Sequence, residues 1–207
     1  MTMLKTNLEK LYQRNPSLNE LYPFDETYEK LNYFIDSEVK NGKKFLNPYR
    51  FSKVFNIELS KIFVLFVYIS SINDNRTLEL KYRYTCKNNT DVFLTEDELE
   101  NFICDEDCGC EEEFNLREAI ESEAIDVPIF FEIDAYLISN ILSSIGDESS
   151  FSERDEGGMS NESINNLKIL KEEIDLLEEH ADDNQMIIRQ LSQLEYLTET
   201  ANRAKLR

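Results

Sequence analysis

The sequence predicts an α+β protein: a helical N-terminal part, a small antiparallel β part, a linker and a C-terminal coiled-coil helix. Three observations carry that expectation. Residues 57–72, IELSKIFVLFVYISSI, are almost wholly apolar and have the length of a buried helix. Residues 78–86, LELKYRYTC, alternate strictly, with Leu78, Leu80, Tyr82, Tyr84 and Cys86 between Glu79, Lys81, Arg83 and Thr85, as a half-buried strand does. A repeat of apolar residues at spacings of three and four then runs from Leu167 to Leu191, beyond a stretch rich in Ser, Glu and Gly. A chain of 207 residues can build one sizeable core and an appendage without disulfides.

Taken in order, residues 1–24 are expected to form an N-terminal helical extension. Residues 25–42, DETYEKLNYFIDSEVKNG, place Tyr28, Leu31, Phe34, Ile35 and Val39 on one helical stripe, with Asp25 as the expected cap and Gly42 just past the end. Pro48 suits the first turn of a short helix, YRFSKVF, which leads through Asn56 to the apolar helix. After the alternating strand, DVFL supplies another short strand, and Thr95 with Glu98 reads as a capping box. EEFNL and VPIFFEID predict further strands. The second carries Val127, Ile129, Phe131 and Ile133 at period two, with Pro128 marking a strand start or an edge. Asp134 is expected to cap AYLISNILSSI, a short apolar helix that stops at Gly146.

Residues 147–162 read as an acidic flexible linker, and residues 163–207 as one amphipathic coiled-coil helix. Its seam is Leu167, Leu170, Ile174, Leu177, Ala181, Asn184, Ile188 and Leu191. A stripe of that length does not stay in water, so it predicts a partner-binding face for another protein subunit or for a second copy of the chain. Asn184 falls on the seam, where a buried amide fixes register. His180 flanks the seam, and the Lys and Arg of ANRAKLR sit at the end that the helix dipole favours for positive charge.

Charge narrows the function. The formal balance is -20, with 42 Asp and Glu against 22 Lys and Arg, and residues 96–126 hold 14 of the acids beside a single base, Arg117. Binding to phosphate backbones and anionic membranes depends on Lys and Arg displacing counterions, so this balance predicts no direct nucleic-acid binding and no membrane binding. The start, MTMLKTNLEK, has no signal-peptide pattern and no apolar run reaches about 18 residues, which predicts a cytoplasmic protein with reduced thiols. Catalysis is not expected either. No GxxxxGK[ST], GxGxxG or GxSxG occurs, five glycines leave little material for a phosphate-cradling loop, and a single His180 rules out HExxH.

Residues 25–85, three helices followed by a strand pair, resemble a winged helix. In DNA-binding helix-turn-helix proteins the recognition helix offers base-contacting side chains at its N-terminal positions. Here those positions are Glu58, Ser60 and Lys61 ahead of an apolar run, so the resemblance implies a packing scaffold more than a reader. Residues 86–146 resemble a zinc ribbon with a closing helix. Tetrahedral zinc takes four ligands converging from two turns. Cys86 ends one strand, Cys104 follows after 17 residues, Cys108 precedes Gly109, and Asn89 stands where the first knuckle expects a second Cys. A complete zinc site is then Cys86, Cys104, Cys108 and Cys110; the rival reading is a ribbon that folds without metal. Asp105, Glu106, Asp107 and Glu111 to Glu113 disfavour thiolate chemistry there.

FLNPYRFSKVFNIELSKIFVLFVYIS, LELKYRYTC, FICDEDCG and VPIFFEI together resemble the winged-helix plus degenerate zinc-ribbon accessory proteins of bacterial conflict (anti-phage) systems, over residues 25–134. The resemblance implies an adaptor or sensor subunit that works with a separate effector. The first expectation is therefore a non-catalytic protein–protein interaction subunit docking through its C-terminal helix. One alternative is an acidic DNA mimic that inhibits a nucleic-acid-binding enzyme through residues 96–126. Another is a winged-helix transcription regulator, which the acidic balance disfavours.

Overall fold

The computed structural model describes residues 3–72, 76–100, 102, 115–122, 124–145 and 158–205. Helices α1 (Met3–Arg14), α2 (Leu18–Leu21) and α3 (Phe24–Lys40) come first. In α3 the expected stripe puts Leu31, Phe34, Ile35 and Val39 in the core. Pro23, not Asp25, stands at its N-cap; Asp25 and Glu26 lie in the first turn, where carboxylates meet the positive end of the helix dipole. Gly42 follows the helix end at φ 71°, the left-handed region that glycine enters without strain. A two-residue strand, β1 (Phe45–Leu46), leads to α4 (Pro48–Phe55). Asn47 Oδ1 accepts from Tyr49 N at 2.8 Å and Arg50 N at 3.2 Å, and Pro48 fills the first turn as expected. The apolar run becomes α5 (Leu59–Ser70), in which Ser60 and every residue from Ile62 to Ser70 are buried.

Strands β2 (Leu78–Thr85), β3 (Asp91–Leu94) and β4 (Ile129–Ile133) join β1 in one antiparallel sheet of order β1-β4-β2-β3. Alternation in β2 buries Leu78, Leu80 and Tyr82, and Phe131 of β4 meets Phe63 and Phe66 of α5 at 5.9 and 5.3 Å between ring centroids. The opposite face has its own small cluster. Phe45, Phe93 and Phe130 lie with centroids 4.9 to 5.3 Å apart, Lys44 Nζ stands 4.7 Å over Phe45, and the Arg83 guanidinium 5.1 Å over Phe130. Gly158 seals this cluster, since a Cβ there would stand 2.4 Å from Phe130 Cε2.

Between β3 and β4 a 3-10 turn (Glu96–Leu99) opens on the expected box, with Thr95 N donating to Glu98 Oε2 at 2.6 Å. That bond holds the Glu98 carboxyl below its ordinary pKa. The strand expected at EEFNL is corrected where it can be seen: Leu116 opens a helix, α6 (Leu116–Glu121), because Asn115 Oδ1 caps Glu118 N at 3.1 Å. Asp134 caps α7 (Ala135–Ile145) as expected, accepting from Tyr136 N at 3.0 Å and Leu137 N at 3.1 Å.

The largest departure is C-terminal. Residues 147–157 of the expected linker lie outside the described residues, but residues 158–162 are ordered against the body. Met159 exchanges two backbone bonds with Ile129, at 2.8 and 2.9 Å, and α8 (Asn161–Asn165) starts directly after. The single helix expected over residues 163–207 is instead α8, α9 (Lys171–His180) and α10 (Gln185–Lys205). The break before α10 has a local cause. Asp182, Asp183 and Asn184 bear side chains that compete for backbone hydrogen bonds, and Asn184 takes φ 61°, which a helix interior does not hold. Its carbonyl then accepts from Ile188 N at 3.2 Å and starts α10.

Candidate functional site

Most of the predicted seam is covered by the chain itself. Ile174, Leu177, Ile188 and Leu191 are 2, 0, 2 and 0% exposed and Asn184 is buried; Leu167 and Ala181 are half-buried; Leu170 alone is open, at 51%. Helix α9 packs on α5, and α10 packs on α9. The seam is therefore not the open partner face that its periodicity suggested. A 3.6-residue stripe requires a cover and says nothing of which chain supplies it.

Polar contacts fix that cover in place. The last carbonyls of a helix lack intrahelical partners. Just past the end of α5, the C-cap carbonyl of Ser71 accepts from Asp182 N at 3.0 Å and Asp183 N at 2.9 Å, while Asn184 Nδ2 lies 3.4 Å from Ser70 Oγ. Arg14 of α1 pairs with Asp182 at 2.9 Å, and Arg76 with Asp183 at 3.0 Å. At the other end of α9, Glu173 Oε2 accepts from Leu170 N at 3.0 Å. The Tyr22 hydroxyl lies 3.1 Å from Lys61 O and 3.4 Å from Glu173 Oε1, which share its one proton. Burial raises the pKa of Glu173, and raises that of Tyr22 strongly, with the Glu173 charge adding to the second effect. The part-exposed ion pairs add about 1 kcal/mol or less each. Leu177 and Leu191 hold the segment down; the polar contacts set its register.

A polar cavity of about 210 Å³ lies beside this connection, lined by Arg76, Glu79, Glu96, Asp97, Asp183 and Asn184 among others. Both Glu96 carboxylate oxygens accept from Met186 N, at 3.1 and 3.2 Å, so a residue ninety positions away caps the first turn of α10. Arg117 lies 3.3 Å from the same carboxylate. Burial raises the Glu96 pKa, against the opposing pull of Met186 N and Arg117. The Tyr82 hydroxyl is buried nearby without a hydrogen-bond partner among the described residues, and desolvation followed by the Glu96 charge pushes its pKa far up. With its oxygens engaged by a helix N-terminus and a guanidinium, Glu96 acts as a clamp.

A second cavity is an apolar cleft of about 180 Å³ between α3, α4 and α5, floored by Phe51, Ile57, Ile62 and Leu65, with Lys30 and Lys61 at its rim. Sequence reading missed both cavities, because their walls come from elements far apart in the chain. The one local signal was the run Asp182-Asp183-Asn184, a stop-and-cap pattern inside the supposed coiled coil.

Of the proposed zinc ligands, Cys86 sits buried at the end of β2, its N–H donating to Thr90 O at 3.0 Å; Cys104, Cys108 and Cys110 lie outside the described residues. Cys86 alone supplies one of the four ligands that a closed zinc site requires. Among the described residues no three His, Cys, Asp or Glu stand together as a metal set. Of the supposed groove-reading positions, Glu58 is exposed, Ser60 is buried and Lys61 belongs to the cleft. His180 ends α9 with Nε2 3.5 Å from Glu179. No helix among the described residues is long and apolar enough to cross a membrane. The chain matches no protein-family model, no curated protein and no solved structure.

Proposed function

We propose that this chain is a non-catalytic interaction subunit: a winged-helix-like scaffold, closed over by its own C-terminal segment, that docks a partner protein through the outer end of α10. The course of α10 carries this reading. Its inner turns bury Met186, Ile187, Ile188 and Leu191, and beyond them Tyr196 and Leu197 stand 70 and 62% exposed while the helix continues to Lys205. An exposed helical turn gains little stability from propensity alone. Adjacent exposed Tyr and Leu side chains on such turns are the kind of anchor that enters a partner's groove.

The scaffold reading draws support from the succession α3, α4, α5 followed by the antiparallel strands β2 and β4. Its third helix runs buried from Ile62 to Ser70 with α9 and the Asp182–Asn184 connector against it, and of the N-terminal positions a reader would present to bases Ser60 is buried and exposed Glu58 is an anion, leaving Lys61 as the one cation. That favours a scaffold over a transcription regulator. The resemblance to accessory proteins of bacterial conflict systems supplies the class of partner, a separate effector subunit.

The test compares full-length chain with the double variant Tyr196→Ser/Leu197→Ser and with a truncation after Leu194, recovered from native cells by affinity purification and quantified by mass spectrometry. The double variant should keep the parent's circular dichroism, the truncation should lose only the helical signal of residues 195–205, and both should lose the co-purifying protein by about tenfold, the loss of one anchor-sized contribution. Undiminished recovery with both would contradict the reading. Light scattering on the purified chain tells a different partner from a second copy.

A further inference from the structure

The apolar cleft is built by elements other than α10, and three features single it out. Its floor continues onto open apolar surface: Phe51 meets Phe55 at 4.7 Å, Phe55 meets Tyr33 at 6.2 Å, and Tyr33 and Val54 are 63 and 54% exposed. Single exposed apolar residues are ordinary, but residues joined by ring contacts to an open cleft form a patch. Its rim carries Lys30 and Lys61 against one carboxylate, Glu26, an excess of one positive charge. Lys30 pairs with Glu26 and stands 5.9 Å over the Phe55 ring, while half-buried Lys61 makes no ion pair among the described residues. Its size is that of a side chain: about 180 Å³ falls below the roughly 300 Å³ at which pockets begin to take small molecules.

Charge selects the occupant. Residues 1–87, which build the cleft, carry 14 Lys and Arg against 10 Asp and Glu, whereas the remainder of the chain carries 8 against 32. An ammonium without a close ion pair at the lip of an apolar cleft, its charge reaching only the buried Glu173 carboxyl behind it, matches a carboxylate set next to a large apolar side chain. We propose that the α3–α4–α5 cleft is a recognition site for a short acidic, apolar segment of a partner protein, its apolar side chain seated on Phe51 and Ile57 and its carboxylate on Lys61. This site uses other residues than the α10 tip: the cleft variants lie in α4 and α5, and the tip variants at Tyr196 and Leu197.

The experiment titrates full-length chain with a fluorescent peptide carrying Leu and Phe between pairs of Glu, beside the same peptide with Lys in place of Glu, and maps both by amide chemical shifts. The acidic peptide should saturate with shifts centred on Lys30, Phe51, Ile57 and Lys61. Lys61→Glu should weaken it about tenfold, the loss of one favourable charge pair plus a new repulsion, and Val54→Asp should weaken it as well without touching the core. Equal binding of the two peptides, or shifts centred elsewhere, would overturn the proposal. So would a concentration-dependent dimer that the peptide dissociates, which makes the occupant a second copy. Tighter peptide binding on deleting residues 147–156 would also overturn it, because the occupant would then be the chain's own acidic segment.

Discussion

Helices α5 and α10 spend similar side chains in opposite ways. In α5, Ser60 and all nine residues from Ile62 to Ser70 are buried, between the sheet on one side and α9 on another, and only its first turn, with half-buried Leu59 and Lys61, reaches the surface beside the cleft. In α10 the same Ile and Leu chemistry is buried only through Leu191, after which Tyr196 and Leu197 face out. A helix closed along almost all its length contributes mainly stability. One that is anchored by its first turns and carries exposed Tyr196 and Leu197 further along can contribute both stability and contact, and the two contributions separate along its length.

Substitutions along the two helices should expose that gradient. Phe66→Ala, in ring contact with Phe51 and Phe131, should cost about 3–5 kcal/mol, much of the stability of an ordinary domain, and should lower the denaturant midpoint for the whole fold. Leu191→Ala should cost about 2 kcal/mol, the low end for such truncations, because half-buried Leu194 beside it lets the site relax. Asn184→Ala should cost about 1 kcal/mol by forcing a Cβ branch without a polar tip into φ 61°, while Asn184→Gly should stay closer to the parent in thermal unfolding. Tyr196→Ser should move stability by less than about 0.5 kcal/mol, and a larger fall would place that residue in the core after all.

Acidity sharpens the same contrast. Glu96 and Glu173 sit where the C-terminal segment meets the body, and burial holds both above the ordinary 4.5. The folded chain therefore keeps protons that the unfolded chain has released. The stability they bring is fully present below 4.5 and is lost as pH rises through the folded values. Glu98, held below 4.5, does not titrate in that window. Lowering pH from about 7 to about 5.5 should raise the urea midpoint, and Glu96→Gln with Glu173→Gln should flatten the rise; an equally steep rise in the double variant would assign it to the general charge of the chain.

Local physics made much of the fold legible in the sequence. The almost wholly apolar run had to be a buried helix, Pro48 suited the first turn of another, and Thr95 with Glu98 and Asp134 fixed two further starts. Period two in β2 and β4 gave the core face of the sheet, though not the order β1-β4-β2-β3, which depends on pairing across residues far apart. The seam misled for the same reason. Ile174, Leu177, Ile188 and Leu191 were correctly marked for burial, but the surface that buries them includes α5, and the contacts that aim them, Arg14 to Asp182 and Glu96 to Met186, join residues with no shared local pattern. The cleft at Phe51 and Ile57 was invisible on the same grounds.

Amide hydrogen exchange on the purified full-length chain, dilute enough to be monomeric, tests the central claim most directly. Intramolecular cover predicts that amides of residues 174–191 exchange as slowly as those of residues 62–70, through opening of the whole fold, while amides beyond Tyr196 exchange much faster. Fast exchange across residues 174–191 in the monomer, slowed only at concentrations where chains associate, would contradict it.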